Sequence, residues 1–325
     1  MPKITEYTSV SSLGYSDVLI TDGTNGTKKI SATDLAASLL NIISPINNRN
    51  IYRGKYLGSS LTEAQSTEIY NGTFKDMFIG DYWTINNVDY VIADIDYFYK
   101  RGNGDQSDTH HLVLMPRAPL SFASMCEVDE NDSYQWDEEE NFSSSPSYLA
   151  STMYTTEMDI IISTLELAFD DALMEMETIK IAGVYDSDYN GFPVSAQNIF
   201  TKASLLSEPM VFGHNAYAMC NDSQSQSTYS YISGDSEAVE PAVSGGYETF
   251  QLSIFKLNPS FAVCGVPMGP SGQVLPADWW LSDLINGPRV RFSCVSALGF
   301  PSYETASEEL AVRPYFCIQG SNPNS

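Results

Sequence analysis

The stretch from Gly80 to Tyr97 (GDYWTINNVDYVIADIDY) limits this chain's choices more than any other. Asn86-Asn87 sits between two alternating apolar runs, and asparagine tolerates the positive φ values that a two-residue hairpin turn demands. The spacing predicts that Ile85 pairs with Val88 and Trp83 with Tyr90. Trp83, Ile85, Val88, Tyr90 and Ile92 then share one face of the ribbon, and Thr84 and Asp89 the other, because side chains alternate along a strand. So large an apolar face has to be covered, and 325 residues are enough to supply a large core.

Charge narrows the classes of partner. Sixteen basic residues against 41 acidic give a net charge of −25, which repels nucleic acid and anionic lipid. Neither nucleic-acid binding nor membrane insertion is expected. No apolar run approaches the ~18 residues of a membrane span, and no basic-then-apolar leader opens the chain. The five cysteines (126, 220, 264, 294 and 317) are scattered and show no CxxC spacing, so buried free thiols are expected rather than a zinc knuckle or a disulfide framework. Twenty tyrosines and abundant serine suit a polar, aromatic contact surface, although tyrosine also simply favours strands.

Residues 1–50 differ in texture from the rest. Val18, Leu19 and Ile20 begin a short strand, a Gly/Asn-rich turn follows, and Lys28 to Ser31 forms a second strand. Ser31 or Thr33 can cap a helix from Asp34 to Ile43, with Leu35, Leu39, Leu40 and Ile43 on one side and Pro45 as its stop. A hairpin and one helix bury too little surface to stand alone, so this segment needs trimer mates or a docking surface. Beyond it, a strand from Tyr52 to Gly58 and a helix from Leu61 to Tyr70 are expected. That helix has a Thr62/Gln65 capping box and an Asn71-Gly72 stop. Further strands are expected at His110–Pro116, Ile179–Val184 and Phe250–Leu257, and a strand or short helix at Ile199–Leu206. In the second half of 148–169, Met158, Ile161, Ile162, Leu165 and Phe169 recur at helical steps behind a Thr155 or Thr156 cap.

Candidate chemistry is sparse. Asp94 and Asp96 lie two apart on one strand, and with His110 they are the candidate metal site; the plainer reading is strand ends or turn hydrogen bonds. At most one of His110 and His111 can join, since neighbours in a strand face opposite ways. Asp186, Asp188, Asn190 and Gly191 alternate as in a calcium loop but lack its closing glutamate, so no cofactor is expected and Ca2+ is not indicated. The run Cys126–Glu140 holds eight carboxylates and no base, and reads as a solvated loop. There is no G-x-S-x-G and no phosphate loop, His214 reads as a turn residue, and nothing singles out a carboxylate pair for glycoside hydrolysis.

Three resemblances sharpen the expectation. The order S-V-S-S-L…D-V-L-I-T-D-G…T-K-K-I-S-A-T-D-L-A resembles the N-terminal segment that docks tail-fibre and head-fibre proteins onto phage virions. The line Y-R-G-K-Y-L-G through H-H-L-V-L-M-P resembles a domain common in phages of Gram-positive gut bacteria. The Trp279-Trp280 pair followed by Val312-Arg313-Pro314 resembles the ending of C-type-lectin-like and formylglycine-generating-enzyme-like domains. There the tryptophans pack the core and the last strand closes beside the first. Asp283 departs from that pattern, and the cysteines do not match the related enzymes' site, so only the fold carries over.

The resemblances imply an α+β chain. A hairpin-helix attachment segment at 1–50 precedes a C-type-lectin-like head at 51–325 with mostly antiparallel sheet. Trp83, Tyr90, Trp279, Trp280, Arg313 and Pro314 would define the core of that head, and Val18, Leu19, Ile20, Leu35 and Leu39 the attachment. They further imply a non-enzymatic virion structural protein, a homotrimer held to capsid, portal, tail or baseplate proteins. Contacts to a host-surface glycan or protein would come from the loops at 100–109, 127–147, 185–191 and 221–246. The alternatives are a depolymerase-type glycan hydrolase, which would be expected to show a solenoid repeat that this chain lacks, and a carbohydrate-binding module.

Overall fold

The computed structural model describes residues 18–23, 26–31, 48–100, 108–127, 147–183, 193–217, 250–268, 273–285 and 290–322. In chain order its strands are β1 Val18–Gly23, β2 Gly26–Ser31, β3 Tyr56–Gly58, β4 Tyr82–Ile85, β5 Val88–Ile95, β6 His111–Pro116, β7 Ser121–Ala123, β8 Leu173–Met174 and β9 Met176–Gly183. They continue with β10 Pro193–Thr201, β11 Ala203–Ser204, β12 Cys264–Met268, β13 Gln273–Ala277, β14 Trp279–Ile285, β15 Arg291–Val295, β16 Pro301–Thr305, β17 Leu310–Val312 and β18 Tyr315–Gln319. Among the described residues the α-helices are α1 Glu63–Tyr70, α2 Met158–Phe169, α3 Glu208–Phe212 and α4 Ser253–Leu257. The chain is a strand-rich α+β protein with mainly antiparallel sheets.

The hairpin forms as its sequence requires. Asn86 and Asn87 take φ of 51° and 65°, Ile85 pairs with Val88 and Trp83 with Tyr90, and Thr84 donates to Asp89 on the opposite face (2.7 Å). β5 then runs into the middle of a seven-stranded sheet ordered β11-β18-β6-β5-β4-β3, with β8 also on β18. From Tyr90 to Ile95 every residue of β5 is buried, so the alternation ends where the sheet is covered on both sides. Only β3 and β4 are parallel in this sheet. A five-stranded sheet, β16-β15-β14-β17-β7, carries the C-terminal motif, and β9–β10 and β12–β13 form separate ribbons.

The six aromatic and C-terminal positions singled out for the core are all buried. Trp83, Trp279 and Trp280 are fully buried, as are Tyr90 and Arg313, and Pro314 is buried beside them. Each indole N–H finds an acceptor, as a buried indole requires. Trp279 donates to the Ala262 carbonyl (2.8 Å) and Trp280 to that of Ala123 (2.9 Å). Trp83 donates to Gln65 Oε1 (3.2 Å). That oxygen also accepts from Thr62 N (3.0 Å), while Thr62 Oγ1 accepts from Gln65 N (3.2 Å), so the capping box of α1 is tied to the hairpin. Tyr90 stands edge-on to Phe169 of α2 and Phe316 of β18 (5.1 and 5.6 Å between centroids).

Several expectations are corrected. The last strand, β18, lies between β6 and β11 rather than beside β3, the first strand of the head. Residues 253–257 form a helix, not a strand. Leu252 through Phe255 are consecutively buried, and the Ser253 N–H is held by the buried Asp94 carboxylate (2.9 Å), which fixes the start of a helical turn. The helix at 158–169 needs no threonine cap, because a wider turn, Met153–Glu157, feeds it from Ser151, whose hydroxyl accepts from Tyr154 N (3.2 Å). Strand pairing near Tyr52 shrinks to a single bridge with Ile79. Packing against the core is already made at Asn48, whose Nδ2 donates to the carbonyls of Phe74 and Met77 (2.9 and 3.1 Å).

Candidate functional site

A cleft of about 580 Å³ opens between the turn of the β4–β5 hairpin, the chain after β6 and the β12–β13 ribbon. Its charged wall comes from Arg117, Arg313 and Asp89, and its apolar wall includes Phe261, Val263 and Val274. Arg117 follows Pro116 at the end of β6, and its N–H is pinned to the Asp89 carbonyl (2.8 Å). Its side chain, 44% exposed, reaches Asp89 Oδ2 (3.3 Å) and lies over Tyr82 (5.1 Å). Arg313 stands in the two-residue link between β17 and β18, ahead of Pro314, which disfavours helical backbone at its predecessor. Gly265 lets the ribbon fold tightly here, since a Cβ at that position would sit 2.6 Å from Val274 Cγ1.

Arg313 is nearly wholly buried, yet no carboxylate pairs with it among the described residues. Nε donates to the Pro116 carbonyl (2.9 Å) and Nη1 to that of Phe261 (2.7 Å). The guanidinium stacks on Phe261 (4.1 Å) and Trp279 (5.4 Å). Burial, with the nearby Arg117 charge adding to it, pulls its pKa down to about 10, so it stays protonated at neutral pH. A guanidinium has five N–H donors, and two are engaged here.

The candidate metal ligands do not converge. Asp94 is buried and committed to Arg49, to Ser253 N and to Ile95 N (2.7 Å). A register shift between Ile92 and Asp94, and the positive φ of Asp96 (53°), end the simple alternation that would have put both aspartates on one side. Asp96 instead meets His110 Nδ1 (2.8 Å) and accepts from His111 N (3.0 Å). His110 stacks on Tyr99 (4.2 Å). Among the described residues no group of three His, Cys, Asp or Glu could hold a metal ion. His111 is buried, with Nδ1 donating to the Thr109 carbonyl (2.9 Å) and Nε2 accepting from Phe98 N (3.1 Å). Burial lowers its pKa, and the accepting role of Nε2 also requires the neutral ring.

Elsewhere, Arg53 and the backbone N–H groups of Lys55 and Phe78 close around the buried Asp81, and Asp76 pairs with Arg53 and Lys55. A second cleft, about 440 Å³, presents Asp159, Glu166 and Glu175 beside Lys202, which pairs with Glu166 (2.6 Å). Cys126, Cys264, Cys294 and Cys317 are buried free thiols, as expected. Exposed His214 donates from Nδ1 to the Phe212 carbonyl (3.1 Å) after the α3 cap, a turn role. Val18, Leu19 and Ile20 lie in β1, opposite Ser31, Ile30 and Lys29 of β2. Leu35, Leu39 and the calcium-loop candidate at 186–191 lie outside the described residues, as do most of the loops expected to make contacts. Sequence reasoning had Arg313 as a core residue only and passed over Arg49, Arg53 and Arg117. Their signal is the scarcity of bases itself, since a chain with 16 of them has few to spend on its interior.

Comparison with models of known families, with curated proteins and with solved structures finds no match for this chain.

Proposed function

We propose that this chain is a non-enzymatic structural subunit of a tailed-phage virion, a fibre or decoration protein. Its first fifty residues attach it to capsid, tail or baseplate proteins, and its C-type-lectin-like head faces outward, as a homotrimer. One observation supports this most directly. The β1–β2 ribbon pairs with no other strand among the described residues. A lone two-stranded ribbon is marginal in water at best, so it calls for a partner surface. Trimeric assembly lets three weak anchors act together. The sequence resemblances of residues 8–36 and of the Trp279–Pro314 region point the same way.

Deleting residues 1–46, which spares the Asn48 and Arg49 contacts to Phe74, Met77 and Asp94, tests the attachment role. Particles assembled with the truncated chain should lack the protein, while the purified head keeps its melting behaviour. Normal incorporation of the truncated chain would refute attachment through the N-terminus. A carbohydrate-binding role for the head is favoured by the cleft at Arg117 and Arg313, whose lining mixes apolar, amide, hydroxyl and charged groups.

A further inference from the structure

We propose that the cleft formed by Arg117, Arg313 and the β12–β13 ribbon binds a sugar that carries a carboxylate, such as a uronic acid unit of an acidic surface glycan. This deepens the recognition role proposed for the head and names its ligand chemistry.

The reasoning starts from Arg313. A buried cation normally has an acid beside it, because the desolvation of the charge has to be offset. Arg313 has two backbone carbonyls and two aromatic faces instead. Three of its five N–H groups have no acceptor among the described residues, and the side chain lines the cleft. In a chain of net charge −25, 41 acids were available to neutralise it. Leaving it unmatched next to a second arginine is what a site for an external anion looks like. A guanidinium edge fits a planar carboxylate through two parallel N–H bonds.

The rest of the cleft selects among carboxylates. Phe261, Val263 and Val274 offer an apolar wall, and Asn87, Asn258 and Ser260 offer amide and hydroxyl groups. A pyranose presents that same mixture, C–H faces with a rim of hydroxyls. Asp89 sits on the Arg117 side (3.3 Å), where it can accept from a sugar hydroxyl while it holds the arginine in place. The volume, about 580 Å³, exceeds that of one ring and suits a short oligosaccharide. The surrounding negative surface repels polyanions at long range, and screening over ~10 Å at 0.1 M salt leaves the buried Arg313 charge and the Asp89-paired Arg117 to act on a ligand already docked.

The test is calorimetric titration of the purified full chain with a tetrasaccharide of glucuronate, a neutral glucose tetrasaccharide, a short peptide with a free C-terminal carboxylate, and inorganic sulfate. The uronate should bind, and the neutral sugar and sulfate should bind at least about tenfold more weakly, a 1.4 kcal/mol difference. Arg313 itself is a poor target, since its Nε and Nη1 hold backbone carbonyls of the core. Val263→Asp is the better one: Val263 is 38% exposed and lines the cleft, so the new carboxylate repels the ligand without entering the core. It should abolish uronate binding while the melting temperature stays unchanged. Arg117→Gln should weaken binding about tenfold. Absence of uronate binding, equal binding of the neutral sugar, tighter binding of the peptide or sulfate, or full binding by a folded Val263→Asp protein would each overturn the assignment. Because these measurements use the free chain, their failure leaves the particle-incorporation result standing, and the reverse also holds.

Discussion

Replacing Asp94 by asparagine should be among the most damaging single-atom changes in the head. The carboxylate is fully buried and answers four donors: Arg49 through Nε and Nη2 (the latter 3.1 Å), Ile95 N (2.7 Å) and Ser253 N (2.9 Å). Through them it joins the segment before β3, the end of β5 and the start of α4. Asparagine keeps one acceptor oxygen and places an NH2 against two existing donors. Breaking a fully buried ion pair costs about 3–5 kcal/mol. Arg49 is 25% exposed and recovers water when its partner goes, which lowers the figure to about 2–4 kcal/mol. For a domain above 150 residues, each kcal/mol moves Tm by about 2–4 °C, so scanning calorimetry at pH 7 should show a drop of roughly 5–15 °C. Arg49→Met should also destabilise, since it leaves the aspartate charged and buried with two backbone partners. The double variant should be less damaged than the sum of the two. A drop below about 2 °C for Asp94→Asn, or strict additivity of the pair, would refute the view that this carboxylate ties the three segments together.

Two further outcomes follow from groups around the same strands. The His111 pKa is lowered by burial, so the folded state holds the ring neutral while the unfolded chain takes up a proton near pH 6.5. Its contribution to stability is therefore complete above about pH 6.5 and is lost as pH falls from there towards the folded-state value, at up to about 1.4 kcal/mol per pH unit. Urea melts from pH 7.5 to 5 should show that slope, and an His111→Gln variant should flatten it. An unchanged slope in the variant would place the titration elsewhere. Gly72 has φ of +65°, and a Cβ there would lie 2.4 Å from His110 Nε2. Gly72→Ala should cost about 2–3 kcal/mol in denaturant titration, and only about 1–2 kcal/mol, the left-handed backbone part, in an His110→Ala background. Equal costs in both backgrounds would show that the ring is not what the glycine makes room for.

Local sequence chemistry specified much of this head. Asn86-Asn87 has few good options besides a tight turn, and that turn fixes the register from Trp83 to Tyr90. Thr62 and Gln65 could be matched as a capping box from their spacing alone. The burial of Trp279, Trp280 and Arg313-Pro314 was legible from apolar and resemblance signals together. The helix at 253–257 was not, because L-S-I-F-K-L alternates well enough for a strand. Only the docking of its first N–H onto Asp94, 159 residues earlier, selects the helical turn.

Elements whose partners lie within a few residues were readable before any fold was known, since their turn and capping geometry is closed by neighbouring atoms. The fate of the charged groups rests instead on long-range approach. Asp94 and Asp96 look equivalent two positions apart, yet a register shift sends one to Arg49 and α4 and the other to His110. Arg313 reads as a core residue in sequence, and becomes the floor of a cleft because β6, the turn at Phe261 and the β12–β13 ribbon meet around it. Charges act through whatever the fold brings near them, and long-range approach is not encoded in local spacing.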